Sequence, residues 1–340
     1  MTRTNCFVVS ALAMMSFAGR PAAADELKHK LRIATAAPDG TAWANIFHRF
    51  ANDVEKETKG EVEAKLYLNG IAGSEDEVFK RLEAGKLDGA VSGGPVCRRV
   101  MPSMRVLDVV GLFQNQEEAT YVLGELNPAL EAEAHEAGYE LLTTGSLGPL
   151  VMFTRDPITS MAALQQTRLW AWDLNDVMLK EATALKLEIV ATNLEEARKA
   201  FDDKRVDGFA TTPVAALAFQ WYVGTKYLTD LRLGYQMGCF VVRQSALDAL
   251  PPDQQVIVRK NATKLGARID ADNKRSDQKL FGETYEHLGV KSSPVSKKFR
   301  AEFFEAARAG RKGLDESHLV PQDLLDKVTQ MLADYRAEHN

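Results

Sequence analysis

The chain has 340 residues, 45% of them hydrophobic and 26% charged, with a formal net charge of −5. At about 100–200 residues per domain the length predicts two lobes. The composition excludes a disordered chain, a collagen-like chain and a disulfide scaffold, and the acidic balance argues against a nucleic-acid partner.

The chain begins with Arg3, an apolar run from Phe7 to Ala18, and Pro21-Ala22-Ala23-Ala24 before Asp25. That is the three-part layout of a secretory signal peptide over residues 1–24, and the run is too short to span a bilayer. Its removal takes the charge from −5 to −7, so the expected product is an exported, soluble chain starting near Asp25. Cys6 leaves with the leader. Cys97 and Cys239 remain, enough for one disulfide in an oxidising compartment. The apolar run Gly238-Cys239-Phe240-Val241-Val242 instead favours a buried free thiol at Cys239.

Leu31 to Thr35 alternates as a strand and breaks at Pro38-Asp39-Gly40. From Thr41 to Lys56, Trp43, Ile46, Phe47, Phe50, Ala51 and Val54 make the stripe of an amphipathic helix. A strand is expected over Glu61 to Leu68. A helix follows from the capping box Ser74-x-x-Glu77 to about Ala84, then a strand over Leu87 to Val91. The order repeats later. Strands are expected at Leu169 to Trp172, Glu188 to Ala191 and Val206 to Ala210, with helices over Asn175 to Leu185 and Leu194 to Phe201. Each half carries a basic residue, an Asp-Gly pair and a closing proline: Lys86-Leu87-Asp88-Gly89 before Pro95, and Arg205-Val206-Asp207-Gly208 before Pro213. This argues two similar α/β lobes with parallel-rich sheets.

Two long extended segments, Tyr139 to Arg155 and Tyr227 to Val242, read as the connections a hinge needs. Pro251 to His287 reads as one helix, over about 50 Å long at 1.5 Å per residue, long enough to touch both lobes. Phe299 to Arg311 and Gln322 to Ala337 read as two more amphipathic helices.

The six histidines show no zinc-ligand spacing. There is no nucleophile elbow and no phosphate-binding glycine loop, so no catalytic set, metal or cofactor is expected. Glu55, Glu57, Glu117, Glu118, Glu131 and Glu133 read as solvated helix faces. Trp170 and Trp172 share one face of a strand, Arg155 ends the first long connection, and Thr211-Thr212-Pro213 ends a strand. In open α/β sheets ligands sit outside the carboxyl ends of strands, and arginine holds a carboxylate by paired hydrogen bonds.

Phe50 to Gly60, Gly73 to Gly89, Pro157 to Trp172, Lys204 to Pro213 and the long helix after Leu250-Pro251 together resemble the solute-binding proteins of tripartite ATP-independent periplasmic (TRAP) transporters, of the dicarboxylate-binding type. The resemblance covers nearly the whole mature chain. It implies an α/β, two-lobed type II periplasmic binding protein with a long helix bracing both lobes. Lobe I is then residues 25–151 plus about 238–270, and lobe II residues 152–237 plus about 271–340. It implies a periplasmic monomer, not an enzyme, that closes on a small organic acid and hands it to the membrane permease subunits of a TRAP transporter.

Many relatives carry an arginine that clamps the ligand carboxylate, and that position falls here on Trp170. Arg168 lies two residues earlier, a second family arginine matches Arg155, and an expected asparagine is replaced by Thr212. The altered clamp favours a larger, partly apolar or aromatic acid that stacks on tryptophan. The expected site is therefore Arg155 as carboxylate anchor, Trp170 as stacking wall, and Trp172, Arg168, Thr212 and Trp43 around them. The alternatives are a receptor that feeds a sensor protein and an enzyme on the same scaffold.

Overall fold

The computed structural model describes residues 29–172, 176–311, 313–314 and 318–339, without the side chains of residues 277, 278 and 282. The leader expected over residues 1–24 lies outside the described residues.

The first lobe starts as β1 (His29–Ala34), α1 (Ala42–Glu57), β2 (Val62–Tyr67), α2 (Glu75–Glu83) and β3 (Gly89–Ser92). Thr41 caps α1 by accepting the Ala44 N–H, and the Ser74–Glu77 capping box forms as the spacing predicts. Then come α3 (Pro95–Val100), a 3₁₀ turn over Pro102–Asp108, α4 (Gln116–Glu136) and the long strand β4 (Tyr139–Thr154). The second lobe follows as α5 (Met161–Gln166), β5 (Leu169–Trp172), α6 (Asp176–Ala184), β6 (Ile189–Thr192), α7 (Ala197–Asp202), β7 (Gly208–Thr211) and α8 (Pro213–Ala218). The long strand β8 (Tyr227–Arg243) returns the chain to α9 (Gln244–Asp248) and α10 (Pro252–Lys279). Helices Lys297–Gly310 and Gln322–His339 close the chain, with β9 (Lys291–Ser293) before them.

Among the described residues the strands form a nine-stranded sheet ordered β2-β1-β3-β8-β4-β7-β5-β6, with β9 on β8. β1, β2 and β3 are parallel to one another, as are β5, β6 and β7. β4 and β8 pair antiparallel from Tyr139↔Arg243 to Thr154↔Tyr227 and shift register at Leu141/Thr143, Ser146/Gly148 and Leu150/Met152. β8 meets β3 over Cys239–Val242, while β4 meets β7 over Val151–Thr154. The two long strands therefore carry one lobe at each end. Bulges sit between the ends, where a strand bends most readily.

The repeated Asp-Gly pairs occupy equivalent places. Asp88, just before β3, binds Arg32 within β1, and Asp207, just before β7, binds Arg168 just before β5. A Cβ on Gly89 would fall 2.9 Å from the Val241 carbonyl oxygen, and one on Gly208 would fall 2.2 Å from that of Phe153. Each glycine lets a long strand pass close to the sheet.

The helix expected after Pro251 is present as α10, about 42 Å long at 1.5 Å per residue, and it stays helical through a π turn at Leu280–Thr284 to His287. Its stripe of Val258, Ala262, Leu265 and Ile269 lies in one apolar cluster with Phe47 and Phe50 of the first lobe and Phe153 and Val214 of the second. It braces both lobes. Its cations pair with α1 acids, Lys260 and Lys264 with Glu57 and Arg268 with Asp53.

Three expectations change. Cys97 and Cys239 are joined in a disulfide with Cα atoms 5.8 Å apart, not held as a free thiol. The pairing of β3 with β8 brings α3 against the apolar run that carries Cys239, which sequence spacing does not reveal. Glu118 is buried, not solvated: it accepts two hydrogen bonds from Arg336, at 2.7 and 2.8 Å, because the C-terminal helix covers α4. For the same reason the tail does not all stay with the second lobe. Leu325, Val328 and Leu332 pack in a cluster with Val122 and Leu126 of α4.

Candidate functional site

The carboxyl ends of both parallel sets face each other across the middle of β4 and β8. The parallel strands end there in Thr35 after β1, Ser92 of β3, Trp172 of β5 and Thr211 of β7. Between them lies a cavity of about 150 Å³. This is the place where open α/β sheets bind ligands.

All four tryptophans of the chain line it: Trp43, Trp170, Trp172 and Trp221. Trp43 stands on the first turn of α1, and its indole N–H donates to Asn273 Oδ1 of α10 at 2.9 Å. Asn273 in turn donates to the Ser146 carbonyl at 2.7 Å, at a bulge of β4. The Trp170 indole N–H donates to Thr192 Oγ1 at 2.9 Å, and its ring packs 5.0 Å from that of Trp221. Phe219 stacks on Trp221 at 4.9 Å. Trp172 reaches across from the second lobe, where a Cβ on Gly93 of the first would lie 3.9 Å from its ring. Phe47, Phe240, Leu265 and Ile269 complete an apolar wall.

α10 closes that wall by direct approach to β4. A Cβ on Gly266 would fall 2.2 Å from Thr143 Oγ1, so the glycine sets the distance between brace and strand. Asp270, one turn on, accepts the Ser146 N–H at 2.9 Å, and burial pushes its carboxyl up.

The polar side of the cavity is small. Arg98 of α3 lies 3.1 Å from Asp108 Oδ2, with both side chains buried. Burial pushes the Asp108 carboxyl up, and Arg98 opposes it. Glu75, at the start of α2, accepts from Ser92 Oγ at 2.7 Å and from the Val96 N–H at 3.3 Å, and burial pushes its carboxyl up as well. Thr212 caps α8 by accepting the Ala215 N–H at 3.2 Å and also lines the cavity.

Of the expected site residues, the structure brings together Trp43, Trp170, Trp172 and Thr212. It does not bring in Arg155 or Arg168. β4 runs antiparallel to β7, so the carboxyl end of β4 lies beside the amino end of β7. The Arg155 N–H donates to the Asp207 carbonyl there, and the Arg155 guanidinium lies 3.5 Å above the Phe201 ring centre. Arg168 precedes β5, at that same end, and is held by Asp207. The rule that ligands sit at strand carboxyl ends applies to the parallel strands and reverses on β4.

Sequence reasoning missed Arg98, Glu75, Phe219, Trp221 and Gln236. The available signal was Pro95, a proline suited to the first position of a helix four residues after the strand expected over Leu87 to Val91, which places Arg98 beside the strand's carboxyl end. Among the described residues no group of three His, Cys, Asp or Glu is placed to hold a metal ion, and no helix is long and apolar enough to cross a membrane.

Residues 33–313 match the family described as bacterial extracellular solute-binding protein, family 7. Solved structures share the fold. A TRAP periplasmic solute-binding protein from Haemophilus influenzae with bound L-gulonate superposes with a TM-score of 0.81 at 19% identity, covering 90% of this chain and 99% of that one. A sugar acid binding protein from Advenella mimigardefordensis in complex with galactonate gives 0.83 at 19% identity, covering 91% and 99%. A TRAP periplasmic solute-binding protein from Desulfovibrio salexigens with bound orotic acid gives 0.78 at 18% identity, covering 90% and 100%. With the match spanning both lobes and the cavity between them, the chain belongs to the bacterial extracellular solute-binding proteins of family 7.

Proposed function

We propose that this protein is a periplasmic receptor that closes on a small organic acid with an apolar or aromatic body and delivers it to an ion-gradient-driven TRAP permease. One observation carries the reading: four tryptophans meet at the carboxyl ends of both parallel strand sets, around a cavity with a buried arginine in its wall. The structurally similar receptors described above hold sugar acids and orotate. Arg98 replaces Arg155 as the anchor, and the ligand carboxylate shares its guanidinium with Asp108. Trp170 and Trp172 supply the stacking wall, with Trp43 facing them from the first lobe.

The lobes divide near residues 151 and 238, as the strand pairing of β3 and β7 supports, and the C-terminal helix lies on the first lobe. The protein acts as a monomer after losing residues 1–24, and it is a carrier and not an enzyme. A sensor protein as downstream partner is the second reading, and loss of uptake in a permease deletion decides between them.

The test is a thermal-shift screen of carboxylic acids. A bound ligand raises stability by RT ln(1 + [L]/Kd), about 2.7 kcal/mol at 100 times Kd. A panel of sugar acids, hydroxy acids and aromatic acids that leaves the melting temperature unchanged throughout overturns the receptor reading.

A further inference from the structure

We infer that the ligand is a zwitterion: an organic acid whose carboxylate is matched, within the same molecule, by a cationic nitrogen lying against the tryptophan faces. The inference rests on the receptor reading above and narrows its substrate class.

The first ground is charge. Among the described residues lining the cavity, Glu75 and Arg98 are the ionisable ones. Arg98 already has Asp108 at 3.1 Å. Arg155 and Arg168 lie at the other end of the sheet. An organic anion that closes into this cavity loses its water and meets only Arg98, whose charge Asp108 already balances, so the site would carry one uncompensated negative charge. A buried charge without a partner is strongly disfavoured. A zwitterion brings both signs with it, so the closed cavity gains no net charge.

The second ground is that two of the tryptophans have no indole N–H left to offer. The indole N–H groups of Trp43 and Trp170 are spent on Asn273 and Thr192. Neither offers a donor to a carboxylate, and what they turn to the ligand is ring. The electron-rich ring face attracts a cation, best on tryptophan and most strongly when water is excluded. The body of an anionic acid can stack on such rings, but its negative charge gains nothing from them.

The third ground is the chamber next door. It shares Glu75 and Trp172 with the main cavity and is also lined by Asp76 and Glu195. Asp76 is paired with Lys80 and Arg99. Glu195 leaves this side of the site acidic, and the buried Glu75 carboxyl beside it gains from a neighbouring cation, which suits the cationic end of the ligand.

The probes are two isosteric acids that differ by one charge. N-methylnicotinate carries a pyridinium nitrogen meta to its carboxylate and is net neutral. Meta-methylbenzoate has the same shape and is an anion. Calorimetry on the full mature chain should show N-methylnicotinate binding at least about tenfold tighter, the gain expected when a desolvated cation meets tryptophan. Trp172→Leu should weaken N-methylnicotinate more than meta-methylbenzoate. Equal or tighter binding of meta-methylbenzoate overturns the inference, and so does binding of neither probe. The acid panel keeps the two readings apart: acids that stabilise the protein while N-methylnicotinate shows no preference sink the zwitterion and leave the receptor standing.

Discussion

Arg168 and Asp207 form a two-pronged clasp, with Arg168 Nη2 2.7 Å from Oδ1 and Nε 2.9 Å from Oδ2. Arg32 and Asp88 repeat it in the first lobe, at 2.8 and 2.7 Å. In both, the aspartate also accepts the arginine's backbone N–H, at 3.1 Å in the second lobe and 2.9 Å in the first. Each clasp ties one parallel strand, at Arg32 within β1 or Arg168 just before β5, to the residue before its neighbour, Asp88 before β3 or Asp207 before β7. Asp88 and Asp207 stand at the amino ends of β3 and β7, away from the cavity, and Arg168 is held there outside the cavity lining.

Arg168→Ala should therefore cost stability and spare binding. Both side chains of the pair are partly exposed, at 42% and 31%, so the loss should be about 0.5–1 kcal/mol. Arg155→Ala should also leave affinity unchanged. Arg98→Lys keeps the charge but loses the planar fork and should weaken binding of a stabilising acid by about 2 kcal/mol or more. Calorimetry on the three variants reverses the assignment if Arg98→Lys binds normally and Arg155→Ala does not.

Gly266→Ala should strain the brace. The added methyl meets Thr143 Oγ1 at 2.2 Å, and overpacking of this kind costs about 1–3 kcal/mol. Urea denaturation measures the loss. A double variant with Thr143→Ala should recover part of it, because the clash is with that side chain.

Asn273→Leu should leave the Trp43 N–H and the Ser146 carbonyl without their partner. The expected cost is about 1–3 kcal/mol of stability, together with a shift of tryptophan emission as the Trp43 ring loosens. Unchanged emission would show that packing alone holds the ring.

Glu181 supplies a pH dependence. Its carboxyl Oε2 accepts the Val110 N–H at 2.7 Å, and burial pushes the group from 4.5 to about 8. Between those values the native state holds a proton that the unfolded chain has released. The stability from this group is whole below about 4.5, falls as pH rises, and levels off above about 8. Glu181→Gln should flatten the fall of the melting temperature between about pH 5 and pH 8. A variant with the wild-type slope would assign the slope to another group.

Reduction of the Cys97–Cys239 bridge should lower stability by about 2–5 kcal/mol, since the bridge closes a long loop. The two residues are 142 apart in sequence. Comparing Cys97→Ala/Cys239→Ala with the oxidised protein by denaturant titration checks this, and equal midpoints would deny the bridge a stabilising role.

Much of the fold was legible in the sequence because its signals are local. Alternation marked β1, β2 and β5, the apolar stripe marked α1, and the Ser74–Glu77 spacing marked the start of α2. The long helix showed in a stretch without an internal proline. α3, α4, α5, α8 and α9 were not read. α4 carries Pro128 inside it, and the other four are only five or six residues long, too short for a period of 3.6 to stand out.

The site divided along the same line. Trp43, Trp170, Trp172 and Thr212 sit at ends of elements whose direction local pattern reveals, and all four line the cavity. Arg155 and Arg168 were misplaced because the direction of β4 relative to β7 is a fact of pairing, and no residue in β4 encodes it locally. The same holds for Arg98 beside Asp108, for Cys97 against Cys239, and for Glu118 under the C-terminal helix. The sequence by itself determined the periodicities, the caps and the doubled strand–helix order, since each depends on neighbours a few residues away. Only the tertiary structure decided which end of the sheet faces the cavity and which charges meet there, because those depend on strands joined across more than seventy residues of chain.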